Sequence, residues 1–417
     1  MYNIVKRYVN IVNYRDGGHM INEKMYKLGA ARSEIRELFE YGKMRKAQIG
    51  EDNVHDFSLG NPSVPCPKEV SEAMANLIAT RNPIELHGYT SAQGDLVTRE
   101  AIAKSVSETH SFSVSADDLY LTVGAAAALT STLSAVVTEG EEVILLAPYF
   151  PEYKVFVEKA GATVKVVMCD TVTFMPDAKA ITEAISEKTA AIIVNSPNNP
   201  TGAVYTEKNI KDIAEVLREK SEEYGKTIYL IADEPYRELV YGGVEVPFIP
   251  KYYNDTIVCY SYSKSLSLPG ERIGYVLVSP KANEHKRVYA AVCGAGRSLG
   301  YVCAPSLLQK ILPYCIGKTS DISIYAKNRQ LLLTKLTEYG FEAVNPDGAF
   351  YLFLKSPMGD ARAFSEAAKK YEILVVPSDS FGCPGYVRIS YCVNTDRIEK
   401  ALGAFKSLAL ELGLIGE

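Results

Sequence analysis

A lysine that directly follows a buried-looking apolar run is the first residue to suggest chemistry in this 417-residue chain. Lys264 comes after TIVCYS (256–261), within Tyr262-Ser263-Lys264-Ser265, and the segment continues to Arg272 and Gly274. Desolvation readily lowers the pKa of such an amine, which suits it to Schiff-base chemistry. Ser261, Ser263 and Arg272 add hydroxyls and a planar guanidinium fork able to hold a phosphate. A lysine snorkelling off a strand end is the plainer alternative. Asp233 closes another apolar run, IYLIAD (228–233), and heads Asp233-Glu234-Pro235-Tyr236. A lone buried carboxylate is costly unless it meets a cation, such as a protonated ring nitrogen. Asp233 could equally cap a helix. After LYLTV (119–123), Gly124-Ala125-Ala126-Ala127-Ala128 opens a helix. Backbone N–H groups and the helix dipole favour an anion there, unless the turn simply leads into an Ala-rich core helix. After AAIIVN (190–195) comes Ser196-Pro197-Asn198-Asn199-Pro200-Thr201-Gly202. Pro and Gly stiffen that loop, which leaves Asn199 either as a fixed amide or as part of a plain turn.

These groups need elements to place them. Seven apolar runs cover 119–123, 142–147, 163–168, 190–195, 228–233, 256–261 and 273–278. Each has the usual strand length of about 5–6 residues and is apolar on both faces, the mark of a mostly parallel sheet covered by helices. Amphipathic stretches such as 206–225 lie between them, and that alternation predicts an open, twisted α/β sheet. Ligands of such sheets bind beyond the carboxyl ends of the strands, where the residues above fall. From about 315 the rhythm changes. A helix is expected over 320–340, short strands at AFYLFL (349–354), EILVVP (372–377) and YVRISYC (386–392), and a closing helix over 394–412. The expected organisation is a flexible N-terminal arm (1–19), a segment 20–60 joining a smaller domain, a large domain (61–314) and a small α+β domain (315–417). Met20 is an alternative start, which mass spectrometry of the native protein would test.

Composition narrows the function classes. Hydrophobic residues make up 47% and charged residues 23%, so the chain is neither disordered nor collagen-like. A net charge of −5 gives no bias toward nucleic acid or anionic membrane. The eight cysteines form no C-x-x-C pair and the five histidines do not cluster, so no metal is expected. Scattered cysteines in a large chain point to reduced thiols and the cytoplasm. No stretch approaches the roughly 18 apolar residues of a membrane span, and Asn10, Asn13 and Arg15 interrupt any signal-peptide core.

The segment 261–274 reads S-x-S-K-x4-P-G-x-R-x-G, which resembles the lysine signature of class I and II aminotransferases. The resemblance continues in N-N-P-T-G (198–202), D-E-P-Y (233–236), Tyr89…Gly94…Arg99-Glu-Ala-Ile-Ala and Y-V-R-I-S (386–390), in order over about 60–390. It implies the fold type I of pyridoxal-phosphate (PLP) transferases: a mostly parallel seven-stranded sheet in a large domain plus a smaller α+β domain. It also implies roles. Lys264 is similar to the lysine that binds pyridoxal 5'-phosphate covalently, and Asp233 to the partner of its pyridine nitrogen. Tyr236 and Asn199 resemble the donors to its phenolic oxygen. Gly124, Ala125, Ala126, Ser261, Ser263 and Arg272 would surround the phosphate. Phe150 is similar to the stacking aromatic, with Tyr149 as the neighbouring alternative. Arg388 looks like the arginine that grips a substrate α-carboxylate, with Gly60 and Asn199 as further contacts. Tyr89 is similar to a tyrosine that reaches the phosphate of a neighbouring subunit, which implies a homodimer with shared active sites. Thr98 and Ser378 depart from the family pattern, where Leu and Gly are common, and leave the substrate's shape open.

The expected activity is a ping-pong transfer of an amino group from an L-amino acid to a 2-oxo acid, with 2-oxoglutarate as the expected acceptor. The alternative is a C–S β-lyase of the same fold, which would release pyruvate and ammonia from a cysteine-type substrate. No residue separates the two; the resemblance favours transamination. A regulator fused to a DNA-binding module is disfavoured, because the about 50 residues before the first motif lack a basic face or a helix-turn-helix pattern. A nicotinamide dehydrogenase would need G-x-G-x-x-G after the first strand, where this chain has Gly124-Ala-Ala-Ala. A dicarboxylic donor needs a second cation, for which Arg297 is a candidate, although an arginine of a solvated loop is the plainer reading.

Overall fold

The computed structural model describes residues 21–30 and 33–416; the expected arm 1–19 and Met20 lie outside them. Its strands, in chain order, begin with β1 (His55–Asp56), β2 (Leu119–Thr122), β3 (Glu142–Ala147) and β4 (Thr163–Met168). Next come β5 (Thr189–Asn195), β6 (Tyr229–Asp233), β7 (Thr256–Ser261) and β8 (Gly274–Val278). The last are β9 (Tyr351–Lys355), β10 (Ile373–Leu374), β11 (Val376–Pro377) and β12 (Tyr386–Ser390).

All seven apolar runs form one sheet of order β2-β8-β7-β6-β5-β3-β4. It is an α/β sheet of the expected kind, mostly parallel, with one strand reversed: β8 runs antiparallel to both β7 and β2. Burial on both faces makes β8 look like its parallel neighbours, so composition alone cannot reveal its direction. TVKVVM is the exception to two-sided burial. As β4 it forms the sheet edge and leaves Val166 and Met168 exposed.

Alternation along the strands builds a core on each face. Ile144, Leu146, Ile192 and Leu230 pack on one side with Ile102, Ile210 and Leu217 from the helices Leu96–His110 and Glu207–Tyr224. Val143, Leu145, Ile193 and Ile231 pack on the other with Leu129, Leu133 and Val292 from Ala125–Val136 and His285–Ser298. The Glu207–Tyr224 helix shows how local chemistry sets its bounds. Thr206 and Asn209 form a reciprocal cap at its start, and Gly225, at φ 62°, ends it.

A further core gathers Phe57, Tyr325, Leu332, Leu352, Val387, Ile389 and Phe405. It lies under the antiparallel sheet β11-β12-β9 and the helices Ser323–Glu338, Ala361–Lys369 and Thr395–Glu411. EILVVP, expected as one strand, is divided: β10 pairs with β1, and β11 pairs with β12 in another sheet. Residues near the start therefore reach this layer through β1. The preceding helices are Glu23–Ala30, with no buried residue, and Glu34–Ile49, whose Leu38 packs on Val376 and Phe381. No described helix is long and apolar enough to cross a membrane, and the described residues hold no group of three or more potential metal ligands.

Candidate active site

The carboxyl ends of β5, β6 and β7 lie side by side, with Asn195 opposite Asp233 and Asp233 opposite Cys259. Asn195 ties two of these ends together. Its amide donates to the Asp233 carbonyl (2.9 Å), and its Oδ1 accepts from the Asn199 backbone N–H (2.8 Å). No helix begins at Asp233, so helix capping does not explain it. The Tyr153 hydroxyl donates to its Oδ2, while its Oδ1 is buried without a partner among the described residues. Burial pushes this carboxyl up to about 7; the Tyr153 hydrogen bond works against that rise and the Glu234 charge adds to it. An unpartnered, fully buried carboxylate oxygen is costly alone and well suited to the N–H of a ring cation.

Lys264 stands in the one-turn helix Tyr262–Ser265 that continues β7. Its amine donates to the Gly60 carbonyl at 2.7 Å and lies 5.3 Å above the Phe350 ring. Burial pulls its pKa down to about 8, and the positive Arg388 and Arg272 add to that pull. A side-chain carbon at Gly60 would collide with the Tyr351 hydroxyl, so only glycine lets that carbonyl approach the amine here. On the other side of Lys264 a cradle forms. The Ser261 and Ser263 hydroxyls are 2.8 Å apart, and Arg272 Nη1 donates to Ser263 Oγ (3.3 Å) and to the Pro269 carbonyl (2.9 Å). Gly124, at φ 87°, precedes the Ala125–Val136 helix, and a Cβ there would stand 2.5 Å from Arg272 Nη2. A guanidinium, two hydroxyls and the N–H groups of a helix start thus converge on a space that suits a phosphate.

Arg388 comes from β12, across the cavity, and is 2% exposed. It donates to the Ser58 carbonyl (2.7 Å) and to Asn199 Oδ1 (3.1 Å), between the rings of Tyr351 (4.7 Å) and Phe381 (5.2 Å). Among the described residues its Nε is buried without a partner, and no carboxylate pairs with it. A buried, uncompensated guanidinium of this kind is primed for an anion. Tyr236 shares a 2.8 Å hydrogen bond with the Tyr351 hydroxyl and packs edge-on against Phe350.

Most of these groups line one cavity of about 290 Å³. It brings together Gly60, Ala125, Ala126, Phe150, Asn199, Asp233, Tyr236, Ser261, Ser263, Lys264, Arg272 and Arg388. Gly124 abuts it through Arg272. Tyr89 does not join it and is 91% exposed. Phe150 lines the cavity, edge-on to Tyr153, whereas Tyr149 is buried elsewhere against Gly382. Arg297, read as a possible loop residue, is instead exposed in the last turn of the His285–Ser298 helix. Thr98 is buried and bonded to Asp95 and the Gln309 carbonyl, outside the cavity. The Ser378 hydroxyl donates to the Cys383 carbonyl (2.5 Å) and accepts from the Tyr386 N–H (2.9 Å), which ties the loop before β12. Sequence reasoning missed Asn195, Tyr153 and Tyr351. Only Asn195, as the last residue of an apolar run, carried a signal in the chain itself.

One cavity therefore holds an anion cradle, an unpaired carboxylate oxygen and an amine of lowered pKa. Those donors fit pyridoxal phosphate.

Comparison with known proteins points the same way. The family described as "Aminotransferase class I and II" matches residues 52–405. The crystal structure of an aminotransferase from Eubacterium rectale is 53% identical and superposes with a TM-score of 0.93, covering 94% of this chain and 99% of that one. The aspartate aminotransferase of Thermotoga maritima is 28% identical over 88% of this chain and 95% of its own length. The aspartate/prephenate aminotransferase of Thermus thermophilus is 31% identical over 84% of this chain and 89% of its own.

Proposed function

The chain belongs to the class I and II aminotransferases, a pyridoxal-phosphate-dependent family, and on that premise we propose how its own residues divide the work. The substrate is an L-amino acid held by its α-carboxylate at Arg388, and the acceptor is a 2-oxo acid such as 2-oxoglutarate. The observation that carries this reading is the convergence of Lys264, the unpartnered Asp233 Oδ1 and the carboxylate-free Arg388 on one cavity. When bound, pyridoxal phosphate supplies an electron sink for the negative charge that develops at the substrate Cα.

Asp233 would hold the ring nitrogen's proton at Oδ1, while Tyr153 fixes Oδ2. Lys264 would take the Cα proton and return it. A pKa of about 8 lets this amine serve as acceptor and donor near neutral pH. Gly124, Ala125, Ala126, Ser261, Ser263 and Arg272 would hold the phosphate, and Phe150 would cover the ring. Asn199 Oδ1 is engaged by Arg388, so its amide N–H is left to donate, together with Tyr236, to the phenolic oxygen. Tyr351, buried and 4.7 Å from the Arg388 guanidinium, would form the wall beside the bound carboxylate.

Three further readings belong to this proposal. Tyr89 and Ile84, 91% and 83% exposed, suit a homodimer in which a second copy supplies its Tyr89 to the phosphate. A dicarboxylic donor would need a cation beyond Lys264, Arg272 and Arg388. Arg297 of a second copy is our candidate. Eight free thiols fit the reducing cytoplasm.

The test is a titration of the yellow holoenzyme with single L-amino acids in the absence of any 2-oxo acid. We expect one donor to bleach the absorbance with one equivalent of its 2-oxo acid released, and 2-oxoglutarate to restore it. Catalytic release of pyruvate and ammonia from cysteine, with the absorbance unchanged, would overturn the reading.

A further inference from the structure

A second cavity, of about 860 Å³, shares no lining residue with the catalytic one. A single layer of backbone separates them. Between 233 and 238, Asp233, Pro235 and Tyr236 line the catalytic cavity, whereas Glu234, Arg237 and Glu238 line the second. Around the end of β7, Ser261 and Ser263 face the first, and Tyr260 and Tyr262 the second.

The second cavity has a tyrosine floor. The Tyr260 ring lies 5.0 Å from Tyr262 and 4.9 Å from Tyr275. Tyr262 and Tyr275 are each 7% exposed, and neither hydroxyl has a hydrogen-bond partner among the described residues. Both hydroxyls open onto the cavity and are free to bond what occupies it. Beside them, Glu238 Oε1 accepts from the Tyr260 hydroxyl at 2.8 Å, and Glu238 Oε2 is buried without a partner.

The charges around this floor favour a cation. Arg237 is spent on Glu234 (2.5 and 2.7 Å) and on the Val246 and Pro247 carbonyls. His110, stacked on Phe248 at 4.2 Å, is kept neutral by burial, with Arg237 and Lys251 adding to the effect; its pKa falls to about 4. Glu207 is paired with Lys211. Among the described residues no salt bridge joins Glu238 or Glu245 to a cation, although the Arg237 charge acts on Glu238, and Lys251 is the remaining cation of the lining.

We propose that this cavity binds a small organic cation, with its ammonium group among Glu238 and the Tyr262 and Tyr275 hydroxyls and its apolar body against the tyrosine rings. Electron-rich ring faces and a carboxylate attract an ammonium together, and its N–H groups can donate to Glu238 and to the two tyrosine hydroxyls. An anion would meet Glu238 and Glu245 first. This binding goes beyond amino-group transfer at Lys264 and does not depend on it.

Calorimetry of the holoenzyme with N,N-dimethylphenethylamine tests the idea. The probe is protonated at neutral pH, and as a tertiary amine it forms no imine with the cofactor. We expect one cation per chain at millimolar concentration or below, with the cofactor's absorbance unchanged. The neutral analogue N,N-dimethyl-2-phenylacetamide should bind at least about tenfold more weakly, since it lacks the charge. Glu238→Gln should weaken the cation about tenfold. Tyr262→Phe and the exposed rim change Glu245→Lys should each weaken it severalfold, and these two hold the test if Glu238→Gln fails to fold. The proposal is overturned by absence of heat, by equal binding of the neutral analogue, by indifference to both Tyr262→Phe and Glu245→Lys, or by displacement with amino-acid substrate.

Discussion

Two arginines on opposite sides of the same strand ends are treated in opposite ways. Arg237 faces the second cavity and its charge is compensated: Glu234, 3% exposed, meets it at two atoms, and two backbone carbonyls accept two more of its N–H groups. Arg388 faces the catalytic cavity with two carbonyl-type acceptors, two aromatic rings, a buried unpartnered Nε and no carboxylate. The first arrangement serves the fold. The second leaves a charge waiting for a ligand, and burial lowers its pKa from the ordinary value. Asp233 repeats the contrast beside Glu234, its chain neighbour: one carboxylate lacks a cation and the next has one. Function here is legible as polar groups that the fold leaves unsatisfied.

The widest break in this comparison is Lys264→Ala. It removes the group expected to carry the proton, and turnover should fall by at least about 10⁴-fold, beyond the range of general base catalysis alone because the covalent link is lost too. Cofactor should remain bound, weakly, through the phosphate cradle. Activity near that of the wild type would refute the assignment of Lys264.

Exchanging the two arginines for methionine sharpens the contrast. Arg237→Met leaves Glu234 buried and alone, and should cost about 3–5 kcal/mol in denaturant-induced unfolding with kcat largely retained. Arg388→Met should do the reverse. It removes the group that would bind the α-carboxylate, so kcat/KM should drop about 100-fold or more, mostly through KM. Yet it relieves an uncompensated buried charge, so stability should hold or rise. If both variants lose stability alike, the distinction between a structural and a waiting arginine fails.

How far the chain itself disclosed this arrangement follows from the range of the interactions. Six of the seven strand runs were legible because two-sided burial leaves a continuous apolar signature, the edge run 163–168 being the exception, and Lys264, Asp233 and Asn199 were legible because they punctuate such runs. The direction of β8 was not, since a buried strand reads the same both ways. The division of EILVVP between two sheets was not either, because each half pairs with a strand far away in sequence. Tyr153 and Tyr351 resemble ordinary core aromatics until Asp233 and Tyr236 are placed beside them, 80 and 115 residues away along the chain. Arg388 stood out only through its motif, since nothing local predicts that Ser58 and Asn199 will surround it.

The smallest expected effect concerns Tyr153, which qualifies the claim that Asp233 is left uncompensated. Burial raises the Asp233 pKa to about 7 even though the Tyr153 hydrogen bond pulls it down. A carboxyl whose pKa is higher folded than unfolded holds more protons in the folded state between the two values. In the cofactor-free protein this group's contribution to stability is therefore fully present below pH 3.8, its unfolded value, and is lost as pH rises toward about 7. Tyr153→Phe removes the hydroxyl that favours the ionised form. A hydrogen bond to a charged group is worth about 1.5 kcal/mol, so the upper edge of that window should move upward by about one pH unit. Asp233→Asn should abolish the window altogether. Denaturant unfolding of the cofactor-free protein across this pH range measures both. Should Tyr153→Phe leave the profile where it is, the tyrosine merely fills space, and Asp233 is as unsupported as Arg388 is unpaired.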